Sequence, residues 1–445
     1  MIAILKREWK SYFQNNTGWL FIAAVLALYG LYFLAYNLRA GYPYVSYTLS
    51  AISFIMLIAV PILTMRSMAE ERHSRTDQLV LTAPVSLGKM IFGKFLAMVG
   101  VFTVAVAVIA VTPLVLAAFG TVPMGENYVA VLGFWLYGCT CIAVGMLASA
   151  LTESQVIAAV VAFAFLFLGY MMNSITGLIG DHLITKVLGA YDLYTPLQSF
   201  MSGCLDLTGV VYFVSVTALC LFLTCQCVQK RRWSMTTKKL TTGMFSVAMI
   251  VVGFAVAVAV NMVVKEMPSS WTAVDATSTK LYSLTDTTKD YVKNLSQDVT
   301  IYVLSSEKSA DSTLAETLQR YEDLSKHLNV VYKDPAKSPN FYQQYTDSAP
   351  SQNSMIVVSD ARSRVVDYSD IYEYSYDYST YSSSVDGYDA EGQLTSALQY
   401  VTKADSELPV IYEITGHGEN TLSGGFSEAV EKANMTVSQL TLLTE

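Results

Sequence analysis

The chain has few charged residues for its length of 445. Only 14% of its residues are Asp, Glu, Lys or Arg, and 53% are hydrophobic, whereas soluble domains contain about 25% charged residues. Residues 1–264 contain 15 basic and 9 acidic residues, and residues 265–445 contain 13 and 27. This split predicts that the first part lies in an apolar environment and the second in an aqueous one.

Cysteine is scarce as well. All six cysteines lie before residue 228, so a disulfide framework is excluded from residues 265–445. The sequence has no Cys-x-x-Cys pair with the spacing of a metal site. We therefore predict no metal site, no cofactor and no catalytic residue.

Seven segments are apolar over about 20 residues, the length that crosses a bilayer. None of them contains Lys, Arg, Asp or Glu, and their backbone must satisfy its own hydrogen bonds as helices. The missing carboxylates argue against a path for small ions, so apolar walls favour a lipid-like, peptide or polymer cargo. The predicted spans are Gly18–Tyr36, Tyr47–Met65, Phe95–Phe119, Tyr128–Leu151, Gln155–Ile179, Gly209–Cys227 and Gly243–Val264.

The loops alternate in basic charge. Lys and Arg cluster in the N-terminal segment and in loops 66–94 and 228–242. Basic loops stay in the cytoplasm, which predicts a cytoplasmic N-terminus and a multi-pass protein of the bacterial inner membrane. The other loops are 37–46, 120–127 and 180–208. Their only basic residues are Arg39 and Lys186.

Three parts follow along the chain. Residues 1–230 are predicted to form a membrane domain of six spans, and residues 231–264 a cytoplasmic linker with a seventh, anchoring span. Residues 265–445 are then extracytoplasmic. Only Thr152–Ser154 separate the fourth and fifth spans, which predicts a tight helical hairpin with Glu153 at a cytoplasmic turn. Loop 180–208 is longer, and its sequence does not decide whether it contains short re-entrant helices.

The polar part alternates short strand patterns with helical patterns, which predicts an α/β domain with a partly parallel sheet. Residues 368–388 are rich in Tyr, Ser and Asp. They predict a surface loop or an edge hairpin, with a carbohydrate-stacking platform as the alternative. The predicted strands are Val299–Leu304, Val330–Tyr332, Met355–Val358, Val410–Ile414 and Val437–Leu443, and the predicted helices are Asp286–Leu295, Leu314–His327, Glu391–Thr402 and Phe426–Ala433.

Two segments imitate nucleotide-binding motifs. Gly88–Lys94 has the spacing G-x-x-x-x-G-K, but Phe95 stands where a phosphate loop needs a hydroxyl, and no strand precedes it. Leu422–Gly425 reads LSGG, but it precedes a short helix of the outward part, so we interpret Ser423 as a helix cap. The chain is therefore predicted to have no ATPase motif of its own.

Mixed charge is dense at the start of loop 66–94. Glu70, Glu71, Arg72 and Arg75 favour a coupling helix that docks on a cytoplasmic ATPase, and a solvated loop is the alternative. The stretch 68–97, MAEERHSRTDQLVLTAPVSLGKMIFGKFLA, resembles the loop after the second span of type-2 ABC transporter permeases. That resemblance covers about residues 1–230 and implies six spans, with an amphipathic interface helix near Leu5–Gln14.

The polar part resembles a different protein family from the membrane part. Residues 275–304, 391–402 and 411–420 read DATSTKLYSLTDTTKDYVKNLSQDVTIYVL, EGQLTSALQYVT and IYEITGHGEN. They are similar to the Gld-type (GldG-like) auxiliary component of gliding-motility ABC transporters. This resemblance implies a permease fused to its auxiliary domain, and a natural chain that continues past Glu445.

One turn in the polar part has the composition of a ligand site. Gly416, His417, Gly418 and Glu419 follow a predicted strand and precede a helix, where backbone N–H groups can meet an anion. Three interpretations stay open: a structural turn, a ligand turn, and a hydrolase site in which His417 acts with Glu419 or Glu413.

These observations predict the permease subunit of an ABC exporter. Its expected partners are a cytoplasmic ABC ATPase, membrane lipids and a second permease, identical or paralogous, with no role for nucleic acid. The alternative is a non-transporting anchor whose outer α/β domain binds envelope glycans or a protein partner.

Overall fold

Two compact units divide the chain, Met1–Lys280 and Leu281–Glu445. We call them the membrane unit and the polar unit, and each has its own hydrophobic core. The computed structural model describes residues 2–76, 86–179, 188–231, 240–265, 267, 272–277, 283–307, 309–377, 382–403, 408–415 and 424–441.

The described part of the membrane unit is mainly helical, because its long apolar runs must pair their own backbone groups within a bilayer. The helix Thr17–Phe33 continues into a π-helix, Leu34–Arg39. A short strand, β1 (Cys204–Asp206), pairs with β2 (Ala273–Asp275). The helices are α1 (Ile2–Gln14), α2 (Thr17–Phe33), α3 (Val45–Thr64), α4 (Arg66–His73), α5 (Leu87–Ile109), α6 (Thr112–Ala117), α7 (Met124–Leu151), α8 (Gln155–Ile179), α9 (Thr195–Met201), α10 (Leu207–Arg231) and α11 (Leu240–Lys265).

Seven helices within the described residues are long and apolar enough to cross a membrane, which confirms the predicted spans. Several extend beyond the predicted ends, because charged residues continue the helix where the apolar run stops. The spans, numbered 1 to 7, are Thr17–Arg39, Val45–His73, Leu87–Ala117, Met124–Leu151, Gln155–Gly177, Leu207–Gln229 and Ala248–Lys265.

The helix α7 forms the centre of the membrane unit. It is the most buried span, and it packs against α3, α8, α9 and α10. Phe134 and Tyr137 are fully buried on it. The predicted hairpin at Thr152–Ser154 joins α7 to α8.

A short helix lies in the segment that the sequence left open. The helix α9 buries Leu197 and Phe200 against the core. It is followed directly by β1 and then by span 6. The segment before span 6 is therefore packed structure on the membrane unit from Thr195 onward.

The polar unit contains the predicted partly parallel sheet. Its order is β4-β3-β5-β6, with β3 and β4 parallel and the other pairs antiparallel. The sheet strands are β3 (Val299–Val303), β4 (Leu328–Tyr332), β5 (Met355–Val358) and β6 (Ser363–Val366), and the helices around them are α12 (Asp286–Lys293), α13 (Ser312–Leu324) and α14 (Ala390–Thr402).

Alternation along β3 places the core of this unit. Val299, Ile301 and Val303 are buried on one face of the sheet. They pack with apolar residues of α13 and α14, and the buried Tyr321 donates its hydroxyl to the carbonyl of Glu391 at 3.1 Å.

The Tyr-rich segment was predicted to be a surface loop or an edge hairpin, and its described residues form an antiparallel pair of strands. The strands β7 (Tyr372–Asp377) and β8 (Ser382–Tyr388) pair antiparallel. Further along, β9 (Val410–Thr415) pairs parallel with β10 (Thr436–Thr441), and α15 (Gly424–Lys432) lies between them in sequence.

The carboxylate of Asp367 joins two segments of the polar unit. It accepts hydrogen bonds from the backbone N–H of Ser351 and Ser369, both at 3.0 Å, and from their hydroxyls at 2.7 and 3.0 Å. Burial opposes its ionisation, but these four donors outweigh that effect and hold the pKa of Asp367 well below its ordinary value. The charged form therefore stabilises the loop beside β5 and β6.

We expect Asp367→Asn to destabilise this region by about 1 kcal/mol at neutral pH. A lowered pKa means that the carboxylate stabilises the fold above its ordinary pKa of 3.8 and that this stabilisation falls as the pH drops below that value. Hydrogen exchange of β5 and β6 in the full-length protein, corrected for intrinsic rates, should therefore show a difference between variant and parent that is larger at pH 6 than at pH 2. Asp347→Asn, at an exposed position, is the control, and an equal difference at both pH values would contradict the assignment.

Candidate coupling surface

The helix α1 lies against α5 at one end of the membrane unit, which we call the basic end. Trp9 covers Gly100 so closely that a Cβ on Gly100 would overlap the indole ring. The ring of Phe13 lies 5.2 Å from that of Trp9 and 5.1 Å from that of Trp19. The predicted interface helix is therefore docked on span 3 through aromatic packing.

Lys94 is a buried charge at the same end. Its side chain is 3% exposed. Its ammonium donates to the carboxylate of Glu71 at 2.7 Å, to that of Glu8 at 3.2 Å and to the carbonyl of Ser67 at 3.3 Å. One side chain of α5 thus holds α1 and α4 together.

Glu8 is charged in this arrangement. Burial opposes its ionisation, but the ammonium of Lys94 and the guanidinium of Arg7, at 2.6 Å, outweigh that effect and lower the pKa of Glu8. The cluster is therefore a compensated set of charges, which is the condition for burying an ammonium in an apolar environment.

The segment Gly88–Lys94 lies inside the helix α5. From Met90 onward its backbone N–H groups bond to carbonyls of the preceding turn, and Lys94 is already paired. The segment thus forms the first two turns of a span.

Ser149 of α7 holds the start of α4. Its hydroxyl accepts hydrogen bonds from the backbone N–H of Met68 and Ala69, both at 3.1 Å, and donates to the carbonyl of Met65 at 3.0 Å. These groups lie where α3 ends and α4 begins, so Ser149 supplies partners to backbone groups at the junction. The position of α4 is thus tied to the central helix.

Two more ion pairs involve α4, one within the helix and one to another segment. Arg66 forms a two-point contact with Glu70, at 2.7 and 2.8 Å. Arg72 lies 2.6 Å from Glu153, in the turn between α7 and α8. The end of α4 is therefore connected to the hairpin of spans 4 and 5.

Most of the predicted coupling residues are thus occupied by contacts within the chain. Glu70, Glu71 and Arg72 all have ion-pair partners on the membrane unit. Arg75 is exposed in the turn after α4, with a left-handed backbone of φ 55°. The end of α4 and the described part of this turn, His73–Thr76, are exposed, and we call them the α4 tip.

The other predicted site lies outside the described residues. This applies to Gly416, His417, Gly418 and Glu419, and also to Ser423. The described residues contain no group of three His, Cys, Asp or Glu side chains that could hold a metal ion.

Sequence reasoning missed Lys94, Glu8 and Ser149 as the residues that position α4. For Lys94 a signal was present, since it stands among apolar residues at the start of a span, where a charge needs a partner. Glu8 and Ser149 carry no comparable signal, because their partners are distant in sequence.

We expect Lys94→Met to destabilise the membrane unit by about 3 kcal/mol, because it removes the buried cation between the carboxylates of Glu8 and Glu71 and leaves them only the more exposed guanidinium of Arg7. The midpoint of thermal unfolding in detergent should fall. Lys89→Met, an exposed lysine on the same helix, is the control. Adding Glu8→Gln and Glu71→Gln should restore part of the loss, and equal midpoints for the two lysine variants would refute this role.

Gly100→Ala should displace α1, at a cost of about 2 kcal/mol, because the new methyl group overlaps the ring of Trp9. Tryptic cleavage at Lys6 and Lys10 should become faster in the folded protein. Gly88→Ala is a matched control on the same helix, since a Cβ there meets nothing within 4 Å. Equal cleavage rates in the two variants would show that α1 is not held by this contact.

Comparison with known families agrees with the membrane part of this description. Residues 39–228 match the family described as ABC-2 family transporter protein. Residues 278–371 match a domain of unknown function (DUF7088). No curated protein and no solved structure matches the chain significantly.

The first match confirms the resemblance of the membrane part to type-2 ABC permeases and supports a permease subunit of an ABC transporter. The second family has no assigned function, so the Gld-type resemblance of the polar unit stays a prediction. With seven apolar helices, the chain is similar in its membrane part to the multi-pass component of such transporters.

Proposed function

We propose that the chain is the permease subunit of an ABC exporter and that a separate ATPase docks on the α4 tip. The observation that carries this proposal is the buried cluster at Lys94, because it joins a surface-exposed segment to two other elements of the membrane unit. A cytoplasmic ATPase that moves the α4 tip would move spans with it.

The topology required by this proposal is supported by charge. Lys6 and Lys10 are exposed on α1, and His73 and Arg75 on the α4 tip. Because basic segments stay in the cytoplasm, the basic end is the cytoplasmic end. Residues 265–445, which follow the seventh span, are then extracytoplasmic.

Transmission from the α4 tip can follow two routes. Lys94 connects α4 with α1 and span 3, and Glu153 connects it with the hairpin of spans 4 and 5. Ser149 prevents α4 from moving independently of span 4. In this mechanism, ATP-driven closure of the ATPase shifts these spans together between inward- and outward-facing states, with a second permease, identical or paralogous, framing the path.

For the polar unit we propose an extracytoplasmic auxiliary domain of the Gld type, as found in gliding-motility ABC transporters. Its support is the sequence resemblance, the acidic composition of residues 265–445 and the partly parallel α/β sheet. Deletion of residues 265–445 discriminates this function from a non-transporting anchor: lost attachment of an envelope glycan or protein, in a chain that shows no transport before or after the deletion, would favour the anchor.

We expect Arg75→Glu to weaken ATPase binding roughly tenfold, because it reverses an exposed charge on the α4 tip without breaking an ion pair of the α4 helix. The tagged full-length protein is purified from its native membranes, the co-purified ABC ATPase is identified by mass spectrometry, and vanadate-sensitive ATP hydrolysis is measured.

Arg39→Glu is the matched control, because it makes the same change on an exposed residue at the other end of span 1. It should leave ATPase binding and the thermal midpoint unchanged. The proposal fails if no ABC ATPase co-purifies with the parent, or if both charge reversals have the same effect.

A further inference from the structure

Span 7 lies outside the family match, which ends at residue 228, yet it is packed on span 6. Asn261 donates from its amide to the hydroxyl of Ser215 at 2.7 Å. A Cβ on Gly253 would lie 3.0 Å from the ring of Phe222, so the two helices approach closely there. Because lipid removes the hydrophobic drive between helices, such polar bonds and close contacts at small residues are what hold spans together.

The chain after span 7 returns to the membrane unit. Strand β2 pairs with β1, so that Cys204, Leu205 and Asp206 lie opposite Asp275, Val274 and Ala273. The backbone N–H of Ala276 continues the contact by donating to the carbonyl of Gly203 at 3.2 Å.

The strand pair is fixed to two spans. Asp206, at the end of β1, caps the start of span 6 by accepting from the N–H of Thr208 at 2.8 Å. On the other side, a Cβ on Gly125 would lie 2.6 Å from the carbonyl oxygen of Ala276, so the start of α7 touches the chain just after β2. We call β1, β2 and the contact at Gly125 the joint.

The joint and the α4 contact lie at opposite ends of one helix. Gly125 and Ser149 are 24 positions apart on α7, and at 1.5 Å per residue they are separated by about 36 Å. Both contacts are therefore made by one continuous helix. A passive tether would need neither strand pairing nor a hydrogen bond between spans.

We propose that the joint, and the contact of span 7 with span 6, stay in place during transport, so that the chain leading to the polar unit moves together with spans 4 and 6. The proposal rests on the proposed function for its source of movement. The geometry of the joint itself is testable without any ATPase.

The first arm tests the joint in isolated membranes. Asp275→Cys places a thiol opposite the native Cys204, and paired Cα atoms in antiparallel strands lie about 4.5–5.5 Å apart, within the range of a disulfide. After mild oxidation and unfolding, the D275C protein should have two fewer thiols that react with a maleimide–polyethylene glycol, while its five other cysteines stay reactive. Val274→Cys is the control, because its side chain points to the other face of the strand; equal labelling of both variants would overturn the joint, whatever the fate of the proposed function.

The second arm tests whether the joint stays closed. The oxidised D275C protein, in complex with its ATPase, should hydrolyse ATP at the rate of the reduced protein. A rate that is lost on oxidation and restored by reduction would show that the strands separate during the cycle, and would overturn the proposal.

The third arm tests coupling. A donor dye on Ser348→Cys, an exposed position of the polar unit, transfers energy to an acceptor-labelled lipid. Trapping the complex with ATP and vanadate should change the transfer in the parent and in Gly120→Ala, since a Cβ at Gly120 meets nothing within 4 Å. The change should be lost in Gly125→Ala, and in Asn261→Leu as a second variant; a change of equal size in these variants, or none in the parent, would overturn the coupling.

Discussion

The basic end of the membrane unit depends on the burial of one ammonium group. Removing the charge of Lys94 from water costs several kcal/mol unless counter-charges lie close to it. The compensating carboxylates come from Glu8 on α1 and Glu71 on α4, two elements that are far apart in sequence. If either element moved away, Lys94 would lose one of its two carboxylate partners, so α1 and α4 are energetically linked.

The same constraint recurs wherever the membrane unit uses polar side chains. Ser149 satisfies backbone groups at the junction of α3 and α4, and Asn261 satisfies the hydroxyl of Ser215. In hydrocarbon an unsatisfied polar group is costly, whereas apolar contacts between helices compete with equally apolar lipid. The polar contacts between helices therefore help to determine which helices lie side by side. The apolar surface determines that each helix crosses the membrane.

This difference explains what could be predicted from sequence. The seven spans follow from uninterrupted apolar runs, and the partly parallel sheet of the polar unit follows from alternation such as that of Val299, Ile301 and Val303. Span 3 was predicted to begin at Phe95, but its helix begins at Leu87, because Lys94 is tolerated inside it once its charge is compensated.

Contacts between distant segments escaped prediction for a physical reason. Strand β2 has three residues, too few for a periodic pattern, and it is a strand only because β1 lies beside it. Glu70 pairs with Arg66 of its own helix, but the partners of Glu71 and Arg72 come from distant segments and depend on tertiary packing. The sequence pattern identifies where charge is dense, and the fold decides which of those charges remain at the surface.

The arrangement of α7 connects these observations. Near one end, the hydroxyl of Ser149 holds the helix that we propose as the ATPase contact; near the other, Gly125 touches the segment that leads to the polar unit. A shift of this buried helix cannot be absorbed locally, because Phe134 and Tyr137 are fully packed between the two ends. One close-packed helix thus carries a hydrogen-bonded contact near one end, at Ser149, and a close backbone contact near the other, at Gly125.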